Sequence, residues 1–153
     1  MKPDSLKDSV KYLAVRSRSE AEVKAYLSKH GHDEVAVEEC LEELRQRRLV
    51  GDDALAKGWA AELAAKGKSG RSMALHKLME RGIPKDLAEA SIEAAWQDVD
   101  ESSVASGLLR KKFKTSGITD VNTMARAARF LKSRGYGAEA ISKALKAAFG
   151  GEE

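Results

Sequence analysis

A threefold internal repeat is the feature of this chain that most constrains its fold. Glycine recurs at Gly31, Gly82 and Gly135, at spacings of 51 and 53 residues. A leucine stands four residues before each glycine, and a histidine or an arginine stands directly before it. A large aliphatic residue follows each glycine ten positions later: Leu41, Ile92 and Leu145. A repeat of this length is typical of chains that stack similar structural units on one another.

The segments that lead to the three glycines predict short amphipathic helices. They read AEVKAYLSKHG, SMALHKLMERG and ARAARFLKSRG. Glycine is the usual left-handed residue after a helix, and basic residues in the last turn suit the helix dipole. The chain also carries start signals: a capping box at Ser19 and Glu22, possible caps at Asp33 and Asp52, and Pro84 suited to a first turn. Each glycine is therefore predicted to lie between two helices.

The composition indicates helices throughout. The chain has 24 alanines but only 16 valines, isoleucines and threonines together, and β-branched residues favour strands whereas alanine favours helices. A further helix is predicted before each pair, at roughly 5–16, 53–66 and 101–114. We therefore predict an all-α, elongated and curved array of about nine helices in three tandem three-helix repeats, 5–50, 51–98 and 99–150. The alternative is an ordinary helical bundle without a true repeat.

The sequence offers no constellation for catalysis or metal binding. None of the three histidines has a partner at metal-ligand spacing, and Cys40 lies in an apolar stripe typical of a core. Gly67-Lys68-Ser69 resembles the end of a phosphate-binding loop, but Glu62 stands where that motif requires glycine. We interpret the segment as a turn between helices. The chain is predicted to be a non-enzyme without cofactor or metal.

The positive charge of the chain is concentrated near its end. The net charge is only +3, and the first 100 residues hold 17 basic and 19 acidic side chains. Residues 106–149 instead hold ten basic side chains against Asp120 and Glu139 alone. A local excess of this size predicts a polyanionic partner for the last repeat.

The candidate binding residues are the ten basic side chains of this region. Lys111 and Lys114 are predicted to share one helical face, and Arg126, Arg129 and Lys132 advance by threes along another helix. The aromatic residues are interpreted mainly as core, so binding would be electrostatic and salt sensitive. A merely solvated basic face is the alternative. The full candidate set is Arg110, Lys111, Lys112, Lys114, Arg126, Arg129, Lys132, Arg134, Lys143 and Lys146.

Over about residues 8–149 the chain resembles the RecX family, regulators of the bacterial RecA recombinase. The resemblance lies in VKYLAVRSRSEAEVKAYLSKHG, DDALAKGWAAELAAKGKSGRSMALHKLMERGI, LLRKKF and RFLKSRGYGAEAISKAL, taken in this order. Arg16, Ser19, Glu22 and Val23 stand for the family's Arg-x-x-Ser-x-x-Glu-Leu pattern, with valine in place of the leucine. The chain departs from the family where Leu55 replaces an aromatic residue and where Gly70-Arg71 replaces Gly-Pro.

This resemblance implies a non-enzymatic protein that binds RecA and RecA filaments on DNA. Members of the family commonly inhibit ATP hydrolysis, strand exchange and the coprotease role in the SOS response. DNA binding, to single or double strands, would be non-specific and electrostatic. The alternative is a stand-alone basic helical DNA-binding protein that acts independently of RecA.

The sequence also predicts where the chain acts. No run approaches the roughly 18 apolar residues of a membrane span, and the first residues, MKPDSLKDSVKYL, are charged where a signal peptide is apolar. We therefore expect a cytoplasmic monomer that does not enter membranes.

Overall fold

The computed structural model describes residues 4–115 and 120–150, and within these ranges all regular structure is helical. The prediction of an all-α helical repeat is confirmed. Nine helices follow one another in the described ranges: α1 Ser5–Val15, α2 Glu20–Lys29, α3 Glu34–Gln46, α4 Asp52–Lys66, α5 Arg71–Glu80, α6 Lys85–Trp96, α7 Glu101–Lys112, α8 Val121–Ser133 and α9 Ala138–Phe149.

Several helices begin where the sequence predicts a cap. The Ser19 hydroxyl accepts from the backbone N–H of Glu22 at 3.1 Å, and the Glu22 carboxylate accepts from the N–H of Ser19 at 2.9 Å. This reciprocal pair is the predicted capping box. Asp33 caps α3 through the N–H of Ala36 at 2.8 Å, also as predicted.

The three repeated glycines end their helices in the same way. Gly31, Gly82 and Gly135 have φ angles of 87, 90 and 89°, a left-handed conformation that glycine adopts without strain. The residue after each glycine donates its N–H to the leucine carbonyl five positions earlier. These bonds measure 3.1 Å from His32 to Leu27, 3.1 Å from Ile83 to Leu78 and 3.2 Å from Tyr136 to Leu131. The repeat is therefore one of backbone geometry as well as of sequence.

Each set of three consecutive helices encloses its own apolar cluster. Leu27, Leu78 and Leu131, the leucines before the glycines, are among the most buried residues of the three clusters, and Trp96 is 1% exposed in the middle one. The clusters lie within the predicted repeats 5–50, 51–98 and 99–150. We refer to these as units 1, 2 and 3, and their exact boundaries stay a prediction.

Units 1 and 2 meet at Arg81. Its carbonyl accepts a hydrogen bond from the Ser19 hydroxyl. Its guanidinium bonds Glu22 at 3.1 Å and the Ser17 carbonyl at 3.3 Å. The same guanidinium lies 3.3 Å from the centre of the Trp59 ring. The turn before α6 thus docks on the start of α2.

Units 2 and 3 meet through the equivalent elements. The N–H of Gly70 donates to the Arg134 carbonyl at 2.8 Å, and the N–H of Ser72 donates to the Gly135 carbonyl at 3.3 Å. Arg71 pairs with Glu101 at 2.5 Å. At both junctions, the residue before the repeated glycine offers its carbonyl to the start of the preceding unit's second helix.

Three local predictions need correction. Helix α7 ends at Lys112 rather than 114, because Phe113 is already extended, with φ −117° and ψ 153°. Gly51, not Asp52, caps α4, and the Asp52 carboxylate instead accepts from the N–H of Glu20 in unit 1 at 2.9 Å. Burial raises the pKa of Asp52. Pro84 lies one position before α6 as its cap.

The segment that resembles a phosphate-binding loop is a turn between helices. It joins the end of α4 at Lys66 to the start of α5 at Arg71. Gly67 is left-handed, with φ 63°, and Ser69 is buried. None of the helices in the described part of the chain is both long and apolar enough to cross a membrane.

Candidate anion-binding surface

An aromatic pair joins the end of α7 to α8 and places several cations. The rings of Phe113 and Phe130 meet edge to face, with centroids 6.0 Å apart. Lys112 Nζ lies 4.4 Å and Arg134 Cζ 5.2 Å from the Phe130 ring centre, and Arg126 Cζ lies 5.6 Å from that of Phe113. Cation–π attraction therefore holds three positive groups around one apolar contact.

Helix α8 adds a row of exposed cations. Arg126, Arg129 and Lys132 are exposed, whereas Ala127 and Leu131 on the other side of the helix are fully buried. The predicted steps of three residues thus lie on the solvent side of α8. With Lys112 and Arg134, these residues form what we call the α7–α8 basic surface.

The charge of this surface is not neutralised internally. Among the described residues, none of its five cations forms an ion pair with a carboxylate. The nearest acidic group at the start of α8 is Asp120, which accepts from the N–H of Thr123 at 2.6 Å. Hydrogen bonds from Thr123, and to a smaller extent the charge of Arg126, lower the pKa of Asp120. Asp120 thus acts on Arg126 at the start of α8, and it forms no ion pair with any of the five cations.

Two of the candidate residues have partners within the chain. The Arg110 guanidinium donates to the Ala147 carbonyl at 3.2 Å and to the Ser106 hydroxyl at 3.4 Å, so it ties α7 to the end of α9. Lys143 pairs with Glu139 at 3.0 Å, and this hydrogen bond raises the pKa of Lys143. Both side chains are thus engaged within the chain, and their role in binding stays a prediction.

The remaining candidates are exposed but not grouped as predicted. Lys111 and Lys114 do not share a helical face, because α7 ends between them at Lys112. Both are exposed, as is Lys146 on α9. The error arose from extending the helix through Phe113, whose ring instead turns to pack on Phe130.

Sequence reasoning missed a stack of rings in unit 1. The guanidinium of Arg18 lies 4.0 Å from the ring centre of Tyr12, which stacks on Tyr26 at 4.0 Å with an interplanar angle of 8°. Tyr26 in turn lies 4.1 Å from the His30 ring. Only the spacing of four between Tyr26 and His30 could have indicated any part of this stack.

The described residues contain no group of three or more metal-ligating side chains. The buried His32 bonds Asp8 at 2.7 Å, and the exposed His76 bonds Glu80 at 2.8 Å. Cys40 is buried, 3.4 Å from the Ser9 hydroxyl, which confirms its place in the core.

Two segments of the chain match family models of known proteins. Residues 7–44 match the family model described as RecX, first three-helix domain, and residues 100–145 match RecX, third three-helix domain. Regulatory protein RecX of Chlorobaculum tepidum is 26% identical over 151 residues, 99% of this chain and 92% of that protein. The protein of the same name from Halalkalibacterium halodurans is 26% identical over 134 residues, 88% of this chain but 50% of that longer protein.

Solved structures agree with these matches. The crystal structure of RecX from Lactobacillus salivarius has a TM-score of 0.76 at 18% identity and covers 94% of both chains. A second crystal structure, of regulatory protein RecX, has a TM-score of 0.75 at 20% identity and covers 90% of this chain and 69% of that one. At these identities the structures establish the shared fold. Because the two family models together match more than half of the chain, in the order of its units, the chain belongs to the RecX family of regulatory proteins.

Proposed function

We propose that this protein binds RecA and RecA filaments on DNA and inhibits recombinase and coprotease activity by stoichiometric binding, without catalysis. Membership of a family of regulatory proteins carries this proposal. The protein would act in the cytoplasm. A row of small units, each docked on the one before, suits contact with another extended object better than enclosure of a small substrate.

In this proposal the α7–α8 basic surface is the part of the protein that contacts DNA. Its five cations come from α7, α8 and the residue that follows α8, Arg134. They are held partly by the Phe113–Phe130 pair and have no carboxylate partner among the described residues. Each phosphate contact on single-stranded DNA contributes about 0.7 to the slope of log affinity against log salt. Loss of the three α8 cations should therefore flatten that slope by up to about 2.

The direct test titrates the protein into RecA on single-stranded DNA and follows ATP turnover. We expect turnover to fall and then to level off as the filament becomes saturated. The triple variant Arg126→Gln, Arg129→Gln, Lys132→Gln should be a weaker inhibitor. A matched control, Lys24→Gln, Lys57→Gln, Lys85→Gln, removes the same charge from exposed residues of units 1 and 2. Unchanged turnover together with no binding to the filament would refute the proposal.

The unpaired cations of the α7–α8 basic surface also favour the second candidate function, DNA binding independent of RecA. That function predicts tight, salt-dependent binding of DNA by the protein alone. A measurement of DNA affinity at several salt concentrations without RecA, taken together with the RecA turnover assay, separates the two functions. Tight binding without any effect on RecA turnover would favour the stand-alone function.

A further inference from the structure

A second cationic surface lies where units 1 and 2 meet. An open groove of about 470 Å³ runs between the end of α1, helix α4 and helix α5. We call it the junction groove. The residues that shape it are Arg16, Trp59, Leu63, Lys66, Lys77 and Arg81. Because α7 and α8 contribute none of its lining, it is separate from the α7–α8 basic surface.

The floor of the junction groove is apolar. Leu78 is 1% exposed, and Trp59 and Leu63 are half-buried against the core of unit 2. The Arg81 guanidinium covers one face of the Trp59 indole at 3.3 Å from the ring centre. That face is therefore closed to a stacking nucleobase, whereas the rest of the floor can accept an aliphatic side chain.

The rim of the groove carries uncompensated positive charge. Lys66 pairs with Glu62 at 3.3 Å, and Arg81 pairs with Glu22 at 3.1 Å. Arg16 and Lys77, by contrast, are exposed and form no ion pair with any described residue. Arg16 follows α1 and Lys77 lies on α5, so the two cations come from different units.

This charge is particular to the first junction. The larger cavity beside the second junction, of about 560 Å³, is lined by Asp100, Glu101 and Glu139 as well as by Arg71 and Lys143. Arg71 and Lys143 each pair with one of these carboxylates. The repeat by itself therefore does not produce a cationic groove.

We propose that the junction groove binds a short acidic peptide segment of a protein partner. One aliphatic side chain of the peptide lies on Leu63 and the uncovered part of Trp59, and flanking carboxylates bind Arg16 and Lys77. A nucleic acid fits less well because Arg81 covers the Trp59 face, and because the two unpaired cations, Arg16 and Lys77, are too few for a continuous row of phosphates. The proposal assigns a protein contact to units 1 and 2 and does not depend on RecA being the partner.

The test uses the whole protein and a synthetic peptide with a single leucine between runs of glutamate. We expect saturable binding that changes the fluorescence of Trp59 and weakens with salt. The double variant Arg16→Ala, Lys77→Ala should bind at least tenfold less tightly, whereas the control Lys57→Ala, Lys85→Ala should bind as the original protein does. Replacing the peptide's leucine by serine should also weaken binding.

Other outcomes would overturn the proposal. It is wrong if the peptide fails to bind, if both double variants bind equally, or if an oligothymidylate binds the groove more tightly than the peptide. The four substituted side chains are exposed, so a circular dichroism melt should show each variant folded. DNA affinity distinguishes this inference from the proposed function: the groove variant should keep the affinity that the α7–α8 basic surface provides.

Discussion

Alanine substitutions at two of the repeated glycines separate backbone strain from unit docking. Gly31 and Gly135 have nearly the same φ, 87 and 89°, and end their helices with the same hydrogen bond. A Cβ atom at Gly31 would meet nothing within 4 Å, whereas one at Gly135 would overlap the backbone nitrogen and the Cβ of Met73 in unit 2. Comparing Gly31→Ala with Gly135→Ala therefore isolates the effect of the junction between units 2 and 3 on stability.

The expected losses of stability follow from this geometry. A left-handed alanine costs about 1–2 kcal/mol, and this cost applies to both variants. At Gly135 the overlap adds about 1–3 kcal/mol of overpacking, or else opens the junction and loses two backbone hydrogen bonds of about 1 kcal/mol each. We expect Gly31→Ala to lose about 1–2 kcal/mol and Gly135→Ala about 2–5 kcal/mol.

Urea unfolding followed by circular dichroism measures the two losses. Amide hydrogen exchange then locates the difference, because Gly70 and Ser72 donate the junction hydrogen bonds. Their exchange should be faster in Gly135→Ala and unchanged in Gly31→Ala. Equal losses of stability, or unchanged protection at Gly70 and Ser72 in Gly135→Ala, would show that the junction does not depend on close approach of this glycine.

Two further substitutions test buried polar groups. Ser19→Ala removes the cap of α2 and the hydroxyl that donates to the Arg81 carbonyl, so thermal unfolding should show a loss of about 1–2 kcal/mol, and a loss near zero would contradict the assigned role. Tyr136→Phe removes a buried hydroxyl without a described partner and should stabilise the protein by about 1 kcal/mol. Burial raises the pKa of Tyr136 to about 12, so between about pH 10 and 12 the unfolded chain loses this proton while the folded protein keeps it, and the free energy of unfolding falls over that range. The Phe variant should lack that loss in urea titrations across this range.

The parts of the fold that local sequence determines were predictable. The capping box at Ser19 depends on residues three positions apart, and each left-handed glycine depends on a single helix turn. The end of α7 was missed because Phe113 leaves the helix to pack on Phe130, a residue 17 positions later. Helical periodicity contains no information about such a contact.

The candidate site residues likewise include some that the sequence could predict and others that it could not. The exposed row on α8 was predictable, because spacings of three follow from the geometry of one helix. The partners of Arg110 were not, since Ala147 lies on another helix. The junction groove was also invisible in the sequence, because Arg16 and Lys77 are separated by 61 positions and meet only when two units dock. The spacing of residues along one helix thus predicts which side chains share a helical face. Sites formed by residues from different units can be recognised only in the structure.

The position of the junction groove makes peptide binding dependent on docking of units 1 and 2. A peptide held by Arg16 and Lys77 contacts both units, so it should bind the docked arrangement more tightly than any separated one, and by linkage it should stabilise docking. A Cβ atom at Gly82 would overlap that of Ala21 in unit 1, although Gly82 does not line the groove. Gly82→Ala should therefore weaken binding of the glutamate–leucine peptide, measured by calorimetry.

Gly31→Ala is the control, because Gly31 has the same backbone conformation as Gly82 and no neighbour. If docking sets the affinity, the Gly82 variant binds less tightly and the Gly31 variant binds as the original protein does. Equal affinities of all three proteins would mean that the peptide contacts only one unit. In that case Arg16 and Lys77 could not both hold it, because they belong to separate units and come together only at the junction.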